Sequence, residues 1–184
     1  MGSSNLHQTD NCGECGDGNV LGAAGGLLDQ CELILDTVTD TDYAAPSQVM
    51  QGGTIGTHLR HTLDHYDAIV GRVADEPIEY DRRTRGLPIE TDRSRAKEHI
   101  ASLRAGIASL EGIGSDEVRI RVMIAGDGRE AVLRSTVARE VAFATHHGVH
   151  HVAMMKAIAA ERGVELDADI GKAPSTIHYE RSGA

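Results

Sequence analysis

The sequence predicts a mainly α protein: a four-helix bundle with a small β-hairpin between the third and fourth helices. Three observations carry this. Four stretches repeat their apolar residues every three to four positions. One short stretch alternates with period two instead. Aromatic residues are scarce, with one Phe, four Tyr and no Trp, so the core must be assembled from Ala, Val, Ile, Leu and Met, which suits closely approaching helices. At 184 residues the chain is one domain long, enough to bury a core without disulfide or metal staples.

Residues 1–19 are polar and Gly-rich and read as a flexible arm ahead of a domain at 20–184. Met1-Gly2-Ser3-Ser4 has the look of an expression scar. The first helix is expected over Val20–Thr37, with Leu21, Leu27, Leu28, Cys31 and Leu35 on its stripe. Pro46 and Gly52-Gly53 mark residues 44–53 as a loop. A second helix begins near Thr54 and carries Ile55, Leu59, Leu63, Tyr66, Ile69, Val70 and Val73, ending at Glu76-Pro77. Residues 77–88 hold no period. The third helix spans about Asp92 to Leu110, with Thr91 or Asp92 as its N-cap. Val118, Ile120, Val122 and Ile124 then alternate with polar neighbours, Gly126-Asp127-Gly128 turns, and Ala131–Leu133 returns. The last helix runs from about Thr136 to Arg162 and stops at Gly163, a residue suited to the left-handed position past a helix end. Beyond it, 164–184 reads as mostly extended.

The charge excludes several roles. Eighteen Lys and Arg against 28 Asp and Glu leave a formal net charge of −10, whereas a surface that tracks phosphates needs a basic excess. No nucleic acid is therefore expected as a partner. No apolar run is long enough for a membrane span, so no membrane partner is expected either. Residues 1–19 lack the apolar core of a signal peptide, and with three cysteines a reducing, cytoplasmic setting is expected.

Seven of the ten histidines fall into two helical clusters, His58/His61/His65 and His146/His147/His150/His151. On a helix, residues four apart differ by about 40° in direction and roughly 6 Å in height. His147 and His151 thus share one face and His146 and His150 another, and an i, i+4 pair is the spacing with which a helix offers two imidazoles to one ion. The His147/His151 face continues through Glu140, Ala144, Met154, Met155 and Ile158; the other carries Phe143, Ala153 and Ala157. Periodicity leans to the first pair and leaves the second open. The first cluster would supply a third ligand, with His61 central in it. The HExxH glutamate of zinc proteases is missing.

The two clusters, in this order, resemble the DinB/YfiT-like superfamily of helical metalloproteins. The early match is Thr54-Ile-Gly-Thr-His-Leu-Arg-His61-Thr-Leu-Asp-His65; the late match is Arg139-Glu-Val-Ala-Phe-Ala-Thr-His-His147-Gly-Val-His-His151, with Gly171-Lys-Ala-Pro-Ser-Thr176 at the tail. The resemblance implies a DinB-like four-helix bundle whose metal ligands fall on His61, His147 and His151. It implies a divalent ion as cofactor, with zinc, nickel, iron and manganese all compatible with three imidazoles. It further implies a metal-dependent enzyme, a thiol-dependent S-transferase or a hydrolase, acting on a small-molecule substrate such as a thiol. The alternative is a non-catalytic metal-binding or stress-response protein with a structural metal. A homodimer stays open.

Other residues have subsidiary roles in this reading. His65, one turn from His61, is the candidate catalytic general base, with a fourth ligand as the competing role. Asp64 and Asp67 flank it, either orienting an imidazole or forming a solvated face. Glu140 reads as an inter-helix or dipole residue rather than a ligand. Cys12-Gly-Glu-Cys15 is a lone CxxC, redox-active or half of a zinc knuckle if functional; Cys31 belongs to the core. Arg82, Arg83 or Arg85, from the loop expected to cover one end of the bundle, would meet an anionic group there.

Overall fold

The computed structural model describes residues 17–82 and 84–183. The elements run α1 (Asp17–Thr37), α2 (Asp40–Ala44), α3 (Ile55–Val70), β1 (Ile78–Glu79), a 3-10 turn (Pro88–Glu90), α4 (Arg93–Ala108), β2 (Glu117–Met123), β3 (Glu130–Thr136), α5 (Val137–Glu161) and α6 (Pro174–Ser182). The long helices α1 and α3 each pack against α4 and α5. Their buried faces form one core that includes Leu27, Leu28, Leu35, Leu59, Leu63, Tyr66, Ile100, Val141 and Met155.

The expected fold needs correcting. Six helices and a three-stranded mixed sheet stand, among the described residues, where a four-helix bundle with a two-stranded hairpin was expected. The residues 77–88, read as irregular, contribute β1, which pairs parallel to β2 through Ile78 opposite Ile120. A strand of two residues has no periodicity to display, and its pairing depends on a partner some forty residues away. The hairpin itself is longer than the return strand suggested: Glu117–Met123 pairs antiparallel with Glu130–Thr136. Helix α2 lies just before the loop at 44–53 and rests on a capping box, Thr39 and Asp42 each bonding the other's backbone N–H. The tail, read as extended, folds into α6, whose Pro174 occupies the first turn, where no N–H is required.

Element ends follow local chemistry. Thr54 caps α3 with its hydroxyl on the Thr57 N–H, and Asp92 caps α4 on Ser94 and Arg95. Helix α3 stops at Gly71, so Val73, expected on its stripe, is 59% exposed. Gly163 follows α5 at φ +74, the left-handed geometry its place past the helix predicts.

Two close approaches set the spacing of the helices that carry the histidines. At Gly148 on α5, a Cβ would overlap Leu27 of α1 and come within 3.1 Å of Thr62 Cγ2 on α3. At Gly56 on α3, a Cβ would strike the carbonyl of Glu90, whose carboxylate pairs with the buried Arg60 of the same helix at 2.8 Å. Arg60 also pairs with Asp64. No described helix is long and apolar enough to cross a membrane.

Candidate functional site

Helices α3 and α5 pack against each other with their histidine faces together. His61 Nε2 lies 3.1 Å from His147 Nε2, which lies 3.1 Å from His151 Nε2. One nitrogen from each of His61, His147 and His151 falls within 4.8 Å of the others. The rings meet at steep angles, His61 at 86° to His147 and 88° to His151, so their nitrogens converge on a point instead of stacking face to face.

These distances can be set against the geometry of an ion. Zn–N bonds of about 2.0–2.1 Å at a tetrahedral angle put nitrogens about 3.3 Å apart. The two 3.1 Å separations match that spacing with little rearrangement. The electrostatics agree, since only a neutral imidazole can ligate. Burial, together with the neighbouring His147, His58, His150 and His65, pushes the His151 pKa down to about 3. Burial, aided by His150, also lowers that of His58.

The rest of the histidine clusters sort by position. His146 and His150 are exposed and take no part in the trio, although the His150 ring lies 5.4 Å from that of His151. His58 sits behind the trio, its Nδ1 3.1 Å from His151 Nδ1. His65 is buried and its Nδ1 lies 2.9 Å from the carbonyl oxygen of His61. A carbonyl can only accept, so Nδ1 carries the hydrogen, and in the neutral ring the acceptor nitrogen is Nε2. The His65 ring lies 4.4 Å from that of His147.

Sequence reasoning missed the aromatic wall of this site. Tyr80, from the stretch in which no period was found, is buried and stacks on His65 at 5.3 Å. Phe143 stacks on His147 at 5.8 Å and 18°, although it was assigned to the His146/His150 face. The signal was present, because 143, 147 and 151 are four apart. Tyr80 donates a 2.6 Å hydrogen bond to Glu140, which is fully buried and also accepts from Ser135 and Arg139. Glu140 therefore joins strand β3 and the loop after β1 to α5, where the sequence reading expected a link between helices. Asp67 pairs with His99 and Asp64 with Arg60. Arg82 is exposed beside Glu79, Arg85 is exposed, and Arg83 lies outside the described residues, as do Cys12 and Cys15. Cys31 is buried, which raises its thiol pKa to about 12.

The chain has a relative among known proteins. It is 31% identical over 160 residues to "FK506-binding protein 5" of Rhizopus delemar, a match covering 85% of this chain and 37% of that protein. The chain thus spans a little over a third of the length of its relative. No family model and no solved structure matches it.

This finding corrects the resemblance drawn from the sequence. The matching relative bears the name of an FK506-binding protein, and the DinB/YfiT-like identification is withdrawn with what rested on it. That includes the DinB-like fold, the metal-dependent S-transferase or hydrolase, and the alternative of a non-catalytic metal-binding or stress-response protein with a structural metal; the cluster of His61, His147 and His151 is left to stand on its geometry alone. The physical reason is that an HxxxH pair and a histidine on another helix amount to very few residues. Any helix pair that buries imidazoles at i, i+4 produces them, whatever the ancestry.

Proposed function

We propose that this chain takes up one divalent transition-metal ion on His61, His147 and His151. A single observation supports the reading: three ring nitrogens, from two helices, lie within 4.8 Å of one another. An all-imidazole donor set suits zinc, nickel, iron or manganese in varying degree and favours none by charge. His65 stands beside the trio as the group that would accept a proton or hydrogen bond, through Nε2, from a water or ligand on the ion. The proposal is one of binding and assigns no reaction.

The test is elemental analysis of the purified protein beside the His147→Ala/His151→Ala variant. The reading expects close to one equivalent of a transition metal in the parent, lost in the variant. Equal metal content in the two would refute the assignment.

The name of the Rhizopus delemar relative favours a second reading, that this chain contributes to FK506 binding. Its seat would be two adjoining cavities between α1, α5 and α6, of about 430 and 250 Å³, which share Ala23, Thr145, Val149 and Pro174. Titration of the chain with FK506 tests this directly. Because the match covers 37% of the relative, no heat and no spectral change would place the binding outside the shared segment.

A further inference from the structure

His58 is the one imidazole of the first cluster whose part in the site is unaccounted for. It is half-buried on the first turns of α3 and its Nδ1 lies 3.1 Å from Nδ1 of His151. His151 meets the trio through its other nitrogen, Nε2, 3.1 Å from His147 Nε2. We infer that His58 is a positioning residue for the metal site: its Nδ1 accepts a hydrogen bond from His151 Nδ1–H and so aims the His151 Nε2 lone pair at the ion.

The inference rests on the metal-binding reading and follows from donor counting. An imidazole that ligates through Nε2 carries its hydrogen on Nδ1 and must donate it. Ligating histidines nearly always donate that second N–H to an acceptor, which fixes the ring's tautomer and angle. Around His151 the bonded partner on that side is the ring of His58, and a neutral imidazole accepts through one nitrogen only. His58 then holds its hydrogen on Nε2, which is buried and has no hydrogen-bond partner among the described residues.

The surroundings hold His58 in place. A Cβ at Gly53 would sit 2.9 Å from His58 Nε2 and 3.2 Å from the Met50 carbonyl, so the loop at 47–53 presses against the far edge of the ring. That loop is closed on itself by Ser47 N–H to Gly53 O at 2.9 Å and Gly53 N–H to Met50 O at 3.0 Å. It is also fastened to the end of α5 by Glu161, which accepts from Ser47 Oγ at 3.0 Å and from the Val49 N–H at 3.1 Å. The same helix that carries His151 thus braces the loop that backs His58.

The experiment compares zinc binding by the whole chain in three forms: parent, His58→Leu and His58→Asn. Asparagine places Oδ1 close to where Nδ1 stood and keeps an acceptor; leucine fills space without one. Competition against a chelator should show affinity falling about 10–100-fold in His58→Leu, with most of the loss restored in His58→Asn. Long-range proton–nitrogen spectra of the zinc-loaded parent should show His151 protonated at Nδ1 and His58 protonated at Nε2. A leucine variant that binds like the parent, an asparagine variant no better than leucine, or zinc attached to His58 itself would each overturn the inference. If the leucine variant does not fold, the parent's spectra decide. A parent that takes up no zinc is a different result, recognisable without any variant, and removes the metal reading together with this one.

Discussion

Gly148→Ala offers a demanding test of how the histidine helices are held. Gly148 lies between His147 and His151 on α5, where a methyl would overlap Leu27 and stand 3.1 Å from Thr62 Cγ2. Leu27 is 2% exposed and Thr62 fully buried, so neither can swing into solvent to make room. Overpacking costs about 1–3 kcal/mol, and with both neighbours buried and the methyl overlapping one of them the upper part of that range, about 2–3 kcal/mol, applies. Replacing a helical glycine by alanine returns about 1 kcal/mol. The clash wins, leaving a net loss of about 1–2 kcal/mol, and for a chain of this size each kcal/mol lowers Tm by about 2–4 °C. The expected outcome in thermal unfolding is a drop of about 2–8 °C. Adding Leu27→Ala should cost less in the Gly148→Ala background than in the parent, because the new methyl occupies part of the vacated space. A Gly148→Ala protein as stable as the parent, or more so, would refute the argument that α5 approaches α1 and α3 through this glycine.

Further expectations concern charge and burial. In the metal-free protein, His151 has a folded pKa of about 3 against an ordinary value near 6.5, so the unfolded chain takes up a proton that the folded one refuses. Stability is then complete above about pH 6.5 and is lost as pH falls toward about 3, with His58 acting in the same direction. Urea midpoints measured across that range should fall with pH, and less steeply in His151→Gln. Glu140→Ala removes the acceptor of Tyr80, Ser135 and Arg139 and should destabilise by about 1–3 kcal/mol for each donor left buried; a change under 1 kcal/mol in chemical denaturation would contradict this (a threshold of about the usual net worth of one hydrogen bond). The Asp67 carboxylate, bonded to His99 at 2.7 Å, raises the pKa of that imidazole, so Asp67→Asn should lower it in an NMR titration.

The parts of this molecule that could be read from sequence are those whose signal is local. Thr54, Asp92 and Gly163 announce helix ends because capping depends on neighbours a few residues away. The His147/His151 face was legible because four-residue spacing is a property of one helix. What failed depended on distant partners or on very few residues. Strand β1 exists only through its pairing with β2. Helix α6 buries none of its residues, so it has no apolar stripe to read. Tyr80 reaches the histidines through an irregular loop, which no periodicity describes. The superfamily resemblance failed in another way: it rested on a ligand pattern that packing chemistry can produce repeatedly, while the similarity spread over 160 residues leads to a protein with a different name. The orientation of His58 toward His151 lay beyond reach, since it depends on a ring angle and on the loop at 47–53.

The central claim is that imidazoles of α3 and α5 hold one ion. Zinc-edge X-ray absorption of the loaded protein tests it most directly. The account predicts three imidazole nitrogens at about 2.0–2.1 Å, with imidazole scattering reduced when His61, His147 or His151 is replaced by alanine. Zinc coordinated by oxygen alone, or a spectrum that none of the three replacements alters, would contradict it.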